Sequence, residues 1–371
     1  MTEDLREVPL ADGPIEIRGA LETVKTAAGT LPRRLPEWTR AQYQDSSMER
    51  QATSASGVRL AFRTAATVLE LDVLTTVPTT DAADLDTGLF ELCVGGEVVA
   101  ARPGPMGNRI LLDENPAGVF VPGAAGTVRF DGLPSGAKDV EIWLPQWVKC
   151  ELVALRAGAA VEAPAPTDSR VWLHHGSSIS QCNGADSPTV IWPALAARKA
   201  DVELVNVGLS GNCFLDPFVA RSIRDAAADL ISLKLGINLT RRGSFNHRSF
   251  GPAVHGFLDT VREGHPDAPL LVVSPIFCPA SEDTPAHGGV GALTLRSVRS
   301  ELRRIVAERA AADPDLHYLD GLELLGPAEA GLLGDGLHPT QAGNQVIGER
   351  FASLAFGAGG PLAARWGGPE C

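Results

Sequence analysis

Apolar and polar residues follow two different rhythms along this chain, and the change comes near residue 156. Before it the period is two. Val58, Leu60 and Phe62 alternate with Arg59, Ala61 and Arg63, and Leu69, Leu71 and Val73 alternate with Glu70 and Asp72. Successive side chains of a strand point to opposite faces, so this pattern places one face in a core and the other in water. Similar short runs stand at 90–94, 127–130 and 140–144. Clusters such as Val-Pro-Thr-Thr-Asp and Arg-Pro-Gly-Pro-Met-Gly-Asn between them supply turn dihedrals. Many strands with almost no helical stretch predict an antiparallel, jelly-roll-like β-sandwich over residues 1–156.

An Ala/Pro-rich stretch at 157–169 lacks the side chains to build a core and resists helix, so it reads as a linker. From 170 to 371 the rhythm is strand, helix, strand. Apolar runs at 171–175, 203–207, 230–235, 270–274 and 316–319 predict strands. Ser187-Pro188 is a helix-start signal, and Pro339 opens a last helix whose apolar face is Ala342, Val346, Ile347, Phe351 and Leu354. Such alternation predicts a parallel sheet covered on both sides, with ligands outside the carboxyl ends of its strands.

Candidate chemistry falls at those ends. Gly176-Ser177-Ser178-Ile179-Ser180 follows the first strand, and a serine on a tight strand-to-helix turn is how an α/β protein exposes a nucleophilic hydroxyl. Asn206-Val207-Gly208-Leu209-Ser210-Gly211-Asn212 follows the second, where the Gly211 amide is placed to meet a developing oxyanion. Asn238, after the third, offers a side-chain amide donor. Asp335-Gly336-Leu337-His338 follows the fifth, with a carboxylate close enough to orient the imidazole. Each piece alone is also an ordinary turn or helix cap. Their joint placement predicts one crevice holding nucleophile, donors, acid and base.

These four blocks, in this order over about 170–355, resemble the SGNH or GDSL-type hydrolase family. The resemblance implies a flavodoxin-like three-layer α/β/α fold and a Ser178–His338–Asp335 triad. It also implies an oxyanion hole from the backbone N–H groups of Ser178 and Gly211 and the Asn238 side chain. Ser177 departs from the family's Gly-Asp-Ser, which removes a local charge. A β-sandwich ahead of such a domain is similar to a smaller two-domain group that includes an acyltransferase of tetracycline biosynthesis, its first domain similar to carbohydrate-binding modules. The function implied is ester hydrolysis through an acyl-enzyme. Transfer of an acyl group to a carbohydrate- or polyketide-like hydroxyl is the alternative, and a binding module carrying an inactive hydrolase remnant is the reading from another class.

Bulk properties narrow the partners. A net charge of −13 argues against nucleic acid and anionic membranes as partners and says nothing specific about substrate; a small-molecule ester or thioester is what the resemblance implies. No run reaches the ~18 apolar residues of a bilayer span, and no basic-then-apolar leader opens the chain, so a cytoplasmic protein is expected. Six cysteines without paired spacing do not make a disulfide scaffold. Cys182, Cys213 and Cys278 each follow a strand end and are expected to be buried thiols rather than metal ligands; no cofactor is implied. His174 and His175 read as packing or substrate-positioning residues, and His247, His255, His265, His287 and His317 have no paired context. Trp38, Trp143 and Trp147 are expected in the sandwich core, a sugar-stacking platform being the alternative.

Overall fold

A computed structural model describes residues 4–81, 86–112, 117–241 and 243–363. The chain divides into two compact units. The first holds the residues up to Asp168 with 181–191 and 205–212; the second holds Ser169–Ser180, Trp192–Leu204 and the chain from Cys213 onward.

In the first unit, one sheet runs in the order Val119–Val121, Asn108–Leu111, Leu69–Thr79, Lys149–Ala157, Thr30–Arg33, Glu22–Lys25, with Arg6–Val8 and Gly126–Phe130 as side pairings. The other runs Val161–Glu162, Arg59–Thr64, Lys138–Trp143, Leu89–Val94, Glu97–Pro103, with Glu16–Arg18 beside Arg59–Thr64. Pairing is antiparallel apart from Thr76–Thr79 against Asn108–Leu111, which is parallel. Leu71, Val73, Leu152 and Leu155 of one sheet and Leu60, Phe62, Leu92 and Ile142 of the other bury into a single apolar cluster, the core of a sandwich. Glu70 and Asp72 point outward, as the period of two requires, and take Arg156 at 3.1 and 2.5 Å.

The second sheet departs from that pattern. Arg59 and Ala61, expected in water, are buried. Arg59 pairs with Glu141 at 2.9 Å and lies 4.8 Å over the Trp143 ring. The outer face is covered by chain the alternation rule does not see: Thr189 N–H donates to Glu91 at 3.1 Å, and Ala165 N–H to Asp139 at 3.1 Å. Within 157–169, Ala157 closes a strand and Val161–Glu162 pair with Thr64 and Arg63. Trp143 is buried, whereas Trp38 is 42% exposed.

The remaining sheet has five strands, in the order Glu203–Gly208, Val171–Gly176, Leu230–Lys234, Leu270–Val273, Leu316–Leu319. Pairings from Val171–Gly176 through Leu316–Leu319 are parallel. The three middle strands are buried on both faces almost throughout, which is why they read as unbroken apolar runs. Counted in chain order the sheet is 2-1-3-4-5, the flavodoxin-like arrangement, and ligands in such sheets sit where the order reverses, beside the first strand's carboxyl end. Helices Trp192–Ala200 and Gln341–Phe351 pack on each other, and Pro217–Asp225, His247–Gly264 and Leu295–Arg309 pack in a row.

The last helix corrects the expected face. The helix opens at Gln341 rather than Pro339, with Thr340 as its cap, accepting from Gly343 N–H at 3.2 Å. Gly343, Asn344, Ile347, Gly348 and Phe351 face inward, while Ala342 is exposed and Leu354 lies past the helix. A hydropathy pattern gives glycine no weight, yet here glycine permits contact: a Cβ on Gly348 would stand 2.9 Å from Leu195 Cβ and 3.1 Å from Trp192 O. Among the described residues, no helix is long and apolar enough to cross a membrane.

Candidate active site

Ser178 begins a one-turn helix, Ser178–Gln181, directly after the first strand of the parallel sheet. Only glycine fits two residues earlier, since a Cβ on Gly176 would stand 2.3 Å from Ser180 Oγ. His338 arrives from the far end of the chain on a tight loop. There Gly336 has φ +77°, and Gly334 N–H closes onto the His338 carbonyl at 2.9 Å. The two side chains meet. Ser178 Oγ lies 2.9 Å from His338 Nε2 across 160 residues of sequence.

Asp335 completes the line. Its Oδ2 is 2.7 Å from His338 Nδ1, and its Oδ1 accepts the backbone N–H groups of Leu337 and His338 at 2.9 and 2.7 Å. A carboxylate can only accept, so the proton sits on Nδ1 and Nε2 presents a lone pair to the hydroxyl. Burial pushes the Asp335 carboxyl upward. The donors from His338 and Leu337 outweigh it and hold the group well below the usual carboxylate range.

Asn238 sits on the short helix Ile237–Arg241 after the third strand and is 8% exposed. Its Oδ1 accepts the Cys213 N–H at 3.1 Å, which fixes the orientation of the carboxamide. Nδ2 makes no hydrogen bond among the described residues and remains a ready donor. Gly211 belongs to the first unit and is the third residue of a turn closed by Asn212 N–H to Leu209 O at 3.0 Å, with φ +67°.

The neighbours are inert. Ser177 is fully buried, its Oγ accepting Ile179 N–H at 3.3 Å. His174 bridges Ser232 Oγ and Ser180 Oγ, each at 2.7 Å, among the rings of Trp172, Trp192 and Phe351. Burial, aided by His175 and Lys234, holds it well below the ordinary histidine range, so it is neutral. His175 stacks on Phe257 and contacts Cys213 Sγ at 3.4 Å. Cys182, Cys213 and Cys278 are all buried, and burial pushes the Cys213 thiol up to about 12, out of reach of nucleophilic chemistry. His265 bonds the Ile223 carbonyl and His255 contacts Arg309. The pairing of His174 with Ser180 and Ser232 has no periodic or motif signal and emerges only once the strands align.

Residues 175–346 match the profile of the GDSL-like Lipase/Acylhydrolase family. The chain carries a GDSL-type domain. Its fold, sandwich included, is that of "Salicylyl-Acyltransferase SsfX3 from a Tetracycline Biosynthetic Pathway": TM-score 0.82, 27% identity, covering 94% of this chain and 96% of that one. A family two carbohydrate esterase from Clostridium thermocellum, solved with cellohexaose, has TM-score 0.61 at 16% identity over 91% and 97% of the two chains. The acetyl xylan esterase Est2A from Butyrivibrio proteoclasticus has TM-score 0.56 at 12% identity over 94% and 96%. At those identities the last two show the fold alone. No curated relative matches the sequence. These three structural neighbours are two esterases and an acyltransferase.

Proposed function

We propose that the protein is a serine-dependent ester hydrolase working through an acyl-enzyme, with Ser178 as nucleophile, His338 as general base and Asp335 as its orienting acid. The observation that carries this reading is the 2.9 Å approach of Ser178 Oγ to His338 Nε2, with Nδ1 held by Asp335. Nε2 takes the hydroxyl proton as Oγ attacks the ester or thioester carbonyl. The Asn238 Nδ2 and the backbone N–H groups of Ser178 and Gly211 receive the oxyanion, each donor worth about 3 kcal/mol. Collapse expels the alcohol or thiol, protonated by His338. Water then repeats the cycle, giving its proton to His338, releasing the acid and restoring Ser178.

Transfer to a hydroxyl acceptor is the second reading, favoured by the likeness to the salicylyl-acyltransferase along nearly all of both chains. A polyketide- or sugar-like alcohol then replaces water in the second half. Release of acid from an activated aryl ester, followed with and without added alcohols, tests both. Turnover whose product is free acid at every alcohol concentration supports hydrolysis. Ester product that grows with alcohol supports transfer, and no turnover on any activated ester overturns both.

A further inference from the structure

Arg34 is a buried cation with no counter-ion among the described residues. It is 0% exposed, and among the described residues no carboxylate pairs with it. Burial pushes its guanidinium down to about 9, which still leaves it charged at neutral pH. Five hydrogen bonds replace the lost water. Nε donates to Ser54 O at 2.6 Å and Nη2 to Ser54 Oγ at 2.6 Å and to Gln51 O; Nη1 donates to Asn206 O at 3.1 Å and Gly208 O at 2.5 Å. Leaving a buried charge so served is costly to build unless its geometry is needed.

Its targets are specific. Asn206 and Gly208 end the strand that runs into the turn Leu209–Asn212, and Asn206 Oδ1 accepts the Gly208 N–H at 3.0 Å. A second clamp acts from the other side of the turn: Gln181 Oε1 accepts the Ser210 N–H at 2.8 Å, one residue before Gly211. Gln181 Nε2 is fixed in turn by Gln51 Oε1 at 2.8 Å and by Ser54 Oγ at 3.0 Å, the same hydroxyl that Arg34 uses. All of these residues belong to the first unit.

We propose that Arg34 and Gln181 are positioning residues that hold the conformation of the turn bearing Gly211, whose amide the proposed reaction uses as an oxyanion donor. The inference rests on the acyl-transfer reading above. A planar fork reaches four carbonyls and a hydroxyl at once, which an ammonium cannot do, so charge alone does not substitute for it. Neither residue touches the reacting atoms; both act through the backbone of 206–211.

The test compares Arg34→Lys and Gln181→Leu with Ile142→Val, a trimming of the sandwich core at a residue outside this hydrogen-bond network. Activity on an activated ester, melting temperature and the pH profile are measured for each. Arg34→Lys and Gln181→Leu are expected to lower kcat about ten- to a hundredfold, KM and the shape of the pH profile staying as in the parent, because an oxyanion donor is displaced while the triad is not. Ile142→Val is expected to lower the melting temperature and leave kcat unchanged below it. Parental kcat in folded Arg34→Lys or Gln181→Leu overturns the proposal, as does an equal kcat loss in Ile142→Val. Should Arg34→Lys fail to fold, Gln181→Leu decides. Loss of all turnover in Ser178→Ala alongside parental kcat in both variants rejects this inference alone, whereas turnover retained in Ser178→Ala rejects the reading beneath it.

Discussion

Asp335 grips His338 at two points, through the ring Nδ1 at 2.7 Å and through the backbone N–H at 2.7 Å. The backbone bond sets the loop and the ring bond sets the tautomer, so one carboxylate does both. Asp335→Asn keeps the size but turns one acceptor into a donor, which favours the wrong imidazole tautomer. Steady-state kinetics on an activated ester should show kcat lower by about 10³- to 10⁴-fold with KM little changed. The sign of the pH effect follows from the depressed carboxyl. Its interactions are complete above the unfolded value near 4 and are lost only as pH falls through the lower folded value. No limb of the activity profile above pH ~4 should disappear in the Asn variant, since Asp335 does not titrate there.

Asn238 keeps Nδ2 available as a donor because its Oδ1 is taken up by the Cys213 N–H. Asn238→Ala should cut kcat by about 10²- to 10³-fold on the same ester, with the protein folded by circular dichroism. A loss confined to KM would mean that the amide binds ground-state substrate instead.

Asp216 opens the helix Pro217–Asp225 without capping it, and burial raises its carboxyl to about 6. A carboxyl raised on folding contributes stability below its unfolded value near 4 and loses it as pH climbs through 6. Asp216→Asn should therefore be more stable than the parent at pH 8, by on the order of 1–2 kcal/mol after solvent screening, and match it near pH 4. Thermal melts at the two pH values read the difference directly.

Much of the fold was legible because periodicity records burial. The five strands of the parallel sheet lie within a residue or so of the apolar runs, and Ser178, His338 and Asp335 meet as their places after the strands implied. What failed has a common cause. Arg59 was expected in water because alternation cannot anticipate a third layer of chain over the sheet. The inner face of the last helix was mis-set because Gly343 and Gly348 add no hydropathy while allowing close contact. Arg34 carries no periodic signal, since two of its partners are backbone carbonyls more than 170 residues away and the others, on Gln51 and Ser54, follow no regular spacing. A pair of arginines between Leu31-Pro32 and Leu35-Pro36, an apolar setting, was the available hint.

The central claim is that His338 activates the hydroxyl of Ser178. Reaction with a fluorophosphonate, read by intact mass and peptide mapping, tests it most directly because only an activated serine is phosphonylated. One adduct per chain is expected, on Ser178, and none in Ser178→Ala or in folded His338→Ala. An adduct on another residue, or unchanged labelling once His338 is replaced, would contradict it.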